Sequence, residues 1–121
     1  MEFNKQEGTS FVVAAKPFRP KDGGKEFLPA DLTETQPVWG ATPINVDGTD
    51  YHPTLEPLGD GMKCKITLPS LPDTATEASA MTVQLTVDAK RGTGVVSLTR
   101  SFTVNVLPEE PTDIDFEEEV G

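Results

Sequence analysis

The chain predicts an all-β fold, two sheets packed as a sandwich, and three observations carry that expectation. Residues 81–107 supply the first: Met81, Val83, Leu85 and Val87 alternate with Thr82, Gln84 and Thr86. After Gly92-Thr93-Gly94 the alternation resumes through Val96, Leu98, Phe102, Val104 and Val106. A two-residue period sends apolar side chains to one face of a sheet and polar ones to the other. Two such runs joined by a short glycine-bearing connection read as a β-hairpin with one buried face. The second observation is composition, since eleven prolines and ten glycines suit short strands and turns better than helices. The third is size: 121 residues can bury one core without disulfide staples.

Taken in order, residues 1–8 are polar and are expected to form an N-terminal arm. Residues 10–16 are the first predicted strand, stopped by Pro17, and residues 20–24 follow as a turn. Residues 25–36 are polar and broken by Pro29, so a loop with at most a short strand is expected. Val38 and Trp39 open the next apolar piece, and Trp39, the only tryptophan, is expected to anchor the core. Asn45-Val-Asp-Gly-Thr-Asp50 reads as a turn. Residues 51–58 are extended, with Pro53 and Pro57 assigning them to a sheet edge. Gly59-Asp60-Gly61 turns tightly into residues 62–68, making a second hairpin. The small residues of 69–80 predict a loop with room for one helical turn. Arg100 interrupts the apolar face between Leu98 and Phe102 and is expected to mark a bulge or a sheet rim.

Catalytic and metal chemistry finds little to work with. Cys64 is the single cysteine, so no intramolecular disulfide is possible. It shares an alternating apolar face with Met62, Ile66 and Leu68 and is expected to be a small buried hydrophobe. His52, the only histidine, lies in Tyr-His-Pro with no nucleophile motif, which argues against a Ser-His-Asp arrangement and an ordinary zinc site. No glycine loop of the phosphate-cradling kind is present. Asp47-Gly-Thr-Asp50 and Asp60 resemble parts of a calcium loop but lack its Asp-x-Asp-x-Asp-Gly pattern and distant Glu. The expectation is a non-enzyme with no catalytic, cofactor-binding or metal-binding residues.

The formal net charge of −10 is unevenly placed. Beyond Pro108 the chain holds Glu109, Glu110, Asp113, Asp115, Glu117, Glu118 and Glu119 and no base, leaving −3 for the rest. The basic residues are scattered, with Lys16, Arg19, Lys21 and Lys25 the only loose group. Both facts argue against nucleic acid as a partner, since phosphate binding needs clustered cations. Residues 108–121 are expected to form an acidic tail in which Ile114, Phe116 and Val120 interleave with acids. Two readings of it stay open. One is a solvated tail. The other is a strand or clamp laid on a neighbouring subunit, its acids meeting a basic groove. On that second reading Asp113, Ile114, Asp115, Phe116, Glu117 and Glu118 bind the partner. The polar start carries no recognisable secretory signal, and no apolar run reaches bilayer length. The initiating Met is expected to mark a complete small product.

Five short motifs occur in order over residues 9–107: Pro37-Val-Trp39, Gly59-Asp-Gly61 before an alternating strand, Thr86-Val-Asp-Ala89, Gly92-Thr-Gly-Val-Val96 and Phe102-Thr-Val-Asn-Val106. In order and spacing they resemble the bacterial immunoglobulin-like (BIG2-type) domain as it occurs in small structural proteins of tailed bacteriophages. The resemblance implies an immunoglobulin-like β-sandwich of about seven strands with extended N- and C-terminal segments. Residues 25–36, longer than such domains usually carry there, and the acidic tail depart from the pattern.

What the resemblance implies is a virion role, most naturally a head decoration protein bound to the major capsid protein, with a tail-associated component close behind. Attachment would use loops, sheet edges and terminal segments, with a homo-oligomer as a further partner and neither nucleic acid nor membrane involved. The protein would be made in the host cytoplasm and reside on the virion. The alternative is a carbohydrate-binding module on the same sandwich, with Trp39, Tyr51 and His52 as a stacking platform.

Overall fold

A computed structural model describes residues 1–30, 36–111 and 114–119. Among these residues there are strands and turns and no helix. The strands are β1 (Glu2–Gln6), β2 (Ser10–Ala14), β3 (Phe18–Lys21), β4 (Gly24–Phe27), β5 (Val38–Ala41), β6 (Ile44–Val46), β7 (Thr49–Tyr51), β8 (Thr54–Leu58), β9 (Lys63–Thr67), β10 (Ser79–Arg91) and β11 (Gly94–Leu107). A four-stranded sheet ordered β1-β11-β10-β5 packs against a three-stranded sheet ordered β2-β9-β8, while β3-β4 and β6-β7 form separate hairpins. The protein is all-β, built of packed sheets.

The alternation read in the sequence is what makes the core. Met81, Val83, Val104 and Val106 point inward from β10 and β11, and Cys64 and Ile66 meet them from β9. Ile44, Leu68 and Leu71 complete the cluster. Burying one such aliphatic side chain contributes about 1.5–3 kcal/mol, so these positions supply most of the drive to fold.

Two-residue loops close three of the hairpins. Asp22-Gly23 has φ angles of 51° and 77°, and Asp47-Gly48 has 52° and 82°. Two consecutive left-handed residues are what a type I′ turn needs, and its twist matches that of the strands it joins. Between β10 and β11 the loop is Gly92-Thr93, with Gly92 at φ 62°.

The structure departs from the sequence expectations at several places. Residues 2–6 are not a free arm: they form β1 and pair in parallel with residues 103–107 of β11. Glu-Phe-Asn-Lys-Gln has one apolar residue, so its strand character comes from the pairing. Phe3 then bridges the sheets, 5.6 Å from the Phe11 ring and 5.4 Å edge-on to Phe102. β2 ends at Ala14, two residues before Lys16. The short strand allowed within 25–36 is the end of β4. What the sequence did not show is its partner β3, on the far side of the Asp22-Gly23 turn. Residues 31–35 of that stretch lie outside the described residues. Residues 69–78 contain a turn at Asp73-Thr74 and no helical turn. The expected edge strand is β8, at the margin of its sheet. Seven strands make up the two larger sheets, and the two small hairpins add four more.

Arg100 is not at a bulge. The β10–β11 register runs unbroken from Ser79 opposite Val106 to Arg91 opposite Gly94. Arg100 does lie at a rim, because β1 pairs only with residues 103–107 and β5 only with residues 83–86. Beyond those partners the hairpin continues as a two-stranded ribbon, joined only by an isolated bridge from Ala30 to Ala89 among the described residues.

Candidate functional site

Directly opposed residues of an antiparallel ladder share a face of the sheet. Met81 faces Val104 and Val83 faces Phe102 where the core is, and the same face continues with Leu85 opposite Arg100 and Val87 opposite Leu98. Leu85, Val87 and Leu98 lie outside the main core cluster. The segment joining β2 to β3 runs past them instead. Ala15, Lys16, Pro17 and Phe18 form its wall, and an open groove of about 390 Å³ lies between that wall and the ribbon. Two backbone hydrogen bonds tie this segment and the base of its hairpin in place: Leu28 N donates to Pro17 O at 2.8 Å, and Lys90 N to Pro29 O at 2.9 Å.

The groove is apolar with cations at its margin. Of the four loosely grouped basic residues, three are engaged within the β3–β4 hairpin. Arg19 hydrogen-bonds Glu26, Lys21 lies 3.6 Å from the same carboxylate, and the Lys25 ammonium sits 4.5 Å from the centre of the Phe18 ring. The hydrogen bond from Arg19, assisted by the two positive charges, holds the Glu26 carboxyl below the usual carboxylate range. Lys16 lines the groove instead. It and Arg100 are both exposed, and neither forms an ion pair with a described residue. Arg100 Nη1 donates only to the neighbouring Thr99 carbonyl, at 2.7 Å. Among the described residues no carboxylate lines the groove. Phe18 is held at its mouth by an edge-on contact with Phe27, ring centres 6.4 Å apart, and stays 46% exposed.

The tail leaves from the other end of β11. Its base is held where Glu109 N donates to Glu7 Oε2 at 3.2 Å. Described residues past Leu107 carry no strand or helix. Of the residues expected to bind a partner, Ile114, Asp115, Phe116, Glu117 and Glu118 are all exposed, with Ile114 at 72% and Phe116 at 92%. Asp113, named with them, lies outside the described residues, as does Val120.

No family model matches the chain, and no curated protein matches it either. Its site is therefore read from its own geometry.

The other singled-out residues have local duties. Trp39 is half-buried against the core, and its indole N–H donates to Gly61 O at 2.7 Å. Tyr51 also packs against the core, while His52 is exposed. Cys64 is fully buried, and desolvation pushes its thiol above the ordinary value. Asp50 Oδ1 accepts from Asn45 Nδ2 at 2.9 Å, and Asp60 Oδ1 accepts from Met62 N at 3.0 Å, so these carboxylates brace turns. Among the described residues no group of three His, Cys, Asp or Glu stands close enough to hold a metal ion. No helix among them is long and apolar enough to cross a membrane.

The groove itself is what sequence reading missed. Its two signals were present separately, the loose basic group at 16–25 and the cation at position 100 on an apolar face. Nothing local joins residues so far apart.

Proposed function

We propose that the protein is a non-enzymatic structural component of a tailed-phage virion, a head decoration protein built on an immunoglobulin-like sandwich. Strand order is the observation that carries the reading. The series β11-β10-β5 and β2-β9-β8 correspond to the G-F-C and B-E-D orders of immunoglobulin-like domains. With β1 on the far side of β11, the chain-terminal strands flank one another. That agrees with the motif order that resembles the phage BIG2-type domain.

A binding role has its own support. The concave feature described above is an open apolar groove with two cations that form no ion pair with a described residue, and the acidic tail holds an almost fully exposed Phe116. Exposed apolar groups framed by charge are the usual marks of a surface that meets another protein.

The test is co-purification. Antibody against the protein should label purified, nuclease-treated particles, and separation of heads from tails should leave it with the heads. Recovery with the tails would make it the tail component instead. Presence only in the lysate, with none on purified virions, would overturn the virion reading.

A further inference from the structure

We propose that the groove between β2–β3 and the β10–β11 ribbon receives the C-terminal segment of a second copy of this chain. Each copy would thus offer one groove and give one tail.

The chemistry of the two parts is complementary. The groove presents half-buried Leu85 and Leu98 along its floor, over a buried Val87, and Phe18 at its mouth, while neither Lys16 nor Arg100 forms an ion pair with a described residue. The segment 114–119 carries Ile114 and Phe116 two residues apart, with Asp115, Glu117, Glu118 and Glu119 beside them and no base. In an extended conformation Ile114 and Phe116 face the same way, and Asp115 and Glu117 face the other. Apolar floor meets apolar face, and marginal cations meet flanking carboxylates. Phe116 gives the strongest reason for a partner, because a phenyl ring left 92% exposed gains the most from a pocket.

Geometry favours a second copy over the same chain. Leu107, where the tail begins, is seven positions from Arg100 and nine from Leu98 along β11. At about 3.4 Å per residue those positions are roughly 24 and 31 Å away. Phe116 is nine residues beyond Leu107, a reach of at most about 32 Å when fully extended. To bring Phe116 to Leu98 of its own chain, the tail would have to reverse at once and run taut. The Glu109–Glu7 hydrogen bond instead keeps its base beside the end of β1. A neighbouring molecule imposes no such limit. Because tail and groove are different surfaces, copies can exchange tails as a reciprocal two-fold pair, or join head to tail in a ring or an open filament. The inference does not rest on the virion reading and stands with or without it.

Sedimentation velocity on the full chain over a wide concentration range tests it. The expected result is reversible association that weakens as salt rises, since the flanking ion pairs are solvent-exposed. Phe116→Ala changes only an exposed side chain and should weaken association by about tenfold or more, the effect of losing an aromatic anchor. Arg100→Glu should weaken it comparably. Mixing the two variants is the decisive arm: F116A keeps its groove and R100E keeps its tail, so the mixture should associate better than either alone. A chain that stays monomeric at every concentration overturns the proposal and leaves the groove to its own tail or a foreign partner. So does an F116A variant that associates like the parent, or a mixture that shows no recovery.

Discussion

Arg100 stands directly across the β10–β11 ladder from Leu85, on the very face that buries Val83, two residues along β10, and Val104, four residues along β11. One face thus serves two purposes. Where β9 and its neighbours cover it, it is the main core; farther along, Val87 and Ala89 stay buried, while Leu85 and Leu98 are half-buried in a groove with a guanidinium at its edge. Because Arg100 has no ion pair with a described residue, Arg100→Leu should shift the unfolding free energy by no more than about 0.5 kcal/mol. Urea unfolding measures this, and a large loss would mean that the guanidinium supports the fold.

Trp39 and Gly61 form a second relationship, joining β5 to the turn before β9. Trp39→Phe removes the donor to the Gly61 carbonyl and part of the packed ring, at an expected cost of about 1–3 kcal/mol. Gly61 has φ 90°, and a Cβ there would meet the Pro37 ring at 3.3 Å. Gly61→Ala should therefore cost about 1–3 kcal/mol through backbone strain. Because both changes disturb one contact, the double variant should lose less than the sum, which a double-mutant cycle in urea reads directly.

Cys64 should be inert in the native protein and react with a thiol reagent only at the rate of unfolding, since it is fully buried. Its raised thiol pKa fixes the sign of a pH effect. The unfolded thiol releases its proton first as pH climbs, so stability is full below the ordinary thiol pKa and declines above it. Replacing Cys64 with Ala should flatten that alkaline decline. In the same strand, Ile66→Ala should cost about 2–5 kcal/mol, the range for emptying a packed aliphatic site.

Glu26 gives the opposite sign. Its carboxyl is lowered chiefly by the Arg19 hydrogen bond, so its contribution is present above the usual carboxylate range and lost as pH falls through and below that range. Amide-exchange protection factors across β3 and β4, which correct for the intrinsic pH dependence of exchange, should fall as pH drops through and below the usual carboxylate range, and Glu26→Gln should remove that loss while leaving the protection of β9 unchanged.

Much of the framework was legible from local pattern. The two-residue period of β10 and β11 assigned Met81, Val83, Val104 and Val106 to one buried face, and the same period placed Cys64 beside Ile66. Asp-Gly pairs marked two of the tight turns. β1 was not legible, because four of its five residues are polar and its strand character comes from a partner about a hundred residues away. Of the β3–β4 hairpin the sequence shows the turn at 20–24 and room for a short strand after it, but not β3, since Phe18, Arg19 and Pro20 show no simple alternation.

The sequence by itself determined which side chains share a face, because that depends on neighbours two positions apart and on the fixed pleat of a strand. It also placed the acids at the end of the chain and the apolar pair Ile114 and Phe116 among them. Tertiary structure alone decided which stretch of the β10–β11 face is covered and which is left open. That choice depends on how far the second sheet and the β2–β3 segment reach along the ribbon. Long-range backbone hydrogen bonds such as Ala15 N to Met62 O and Lys90 N to Pro29 O set that reach, and no short-range pattern encodes them.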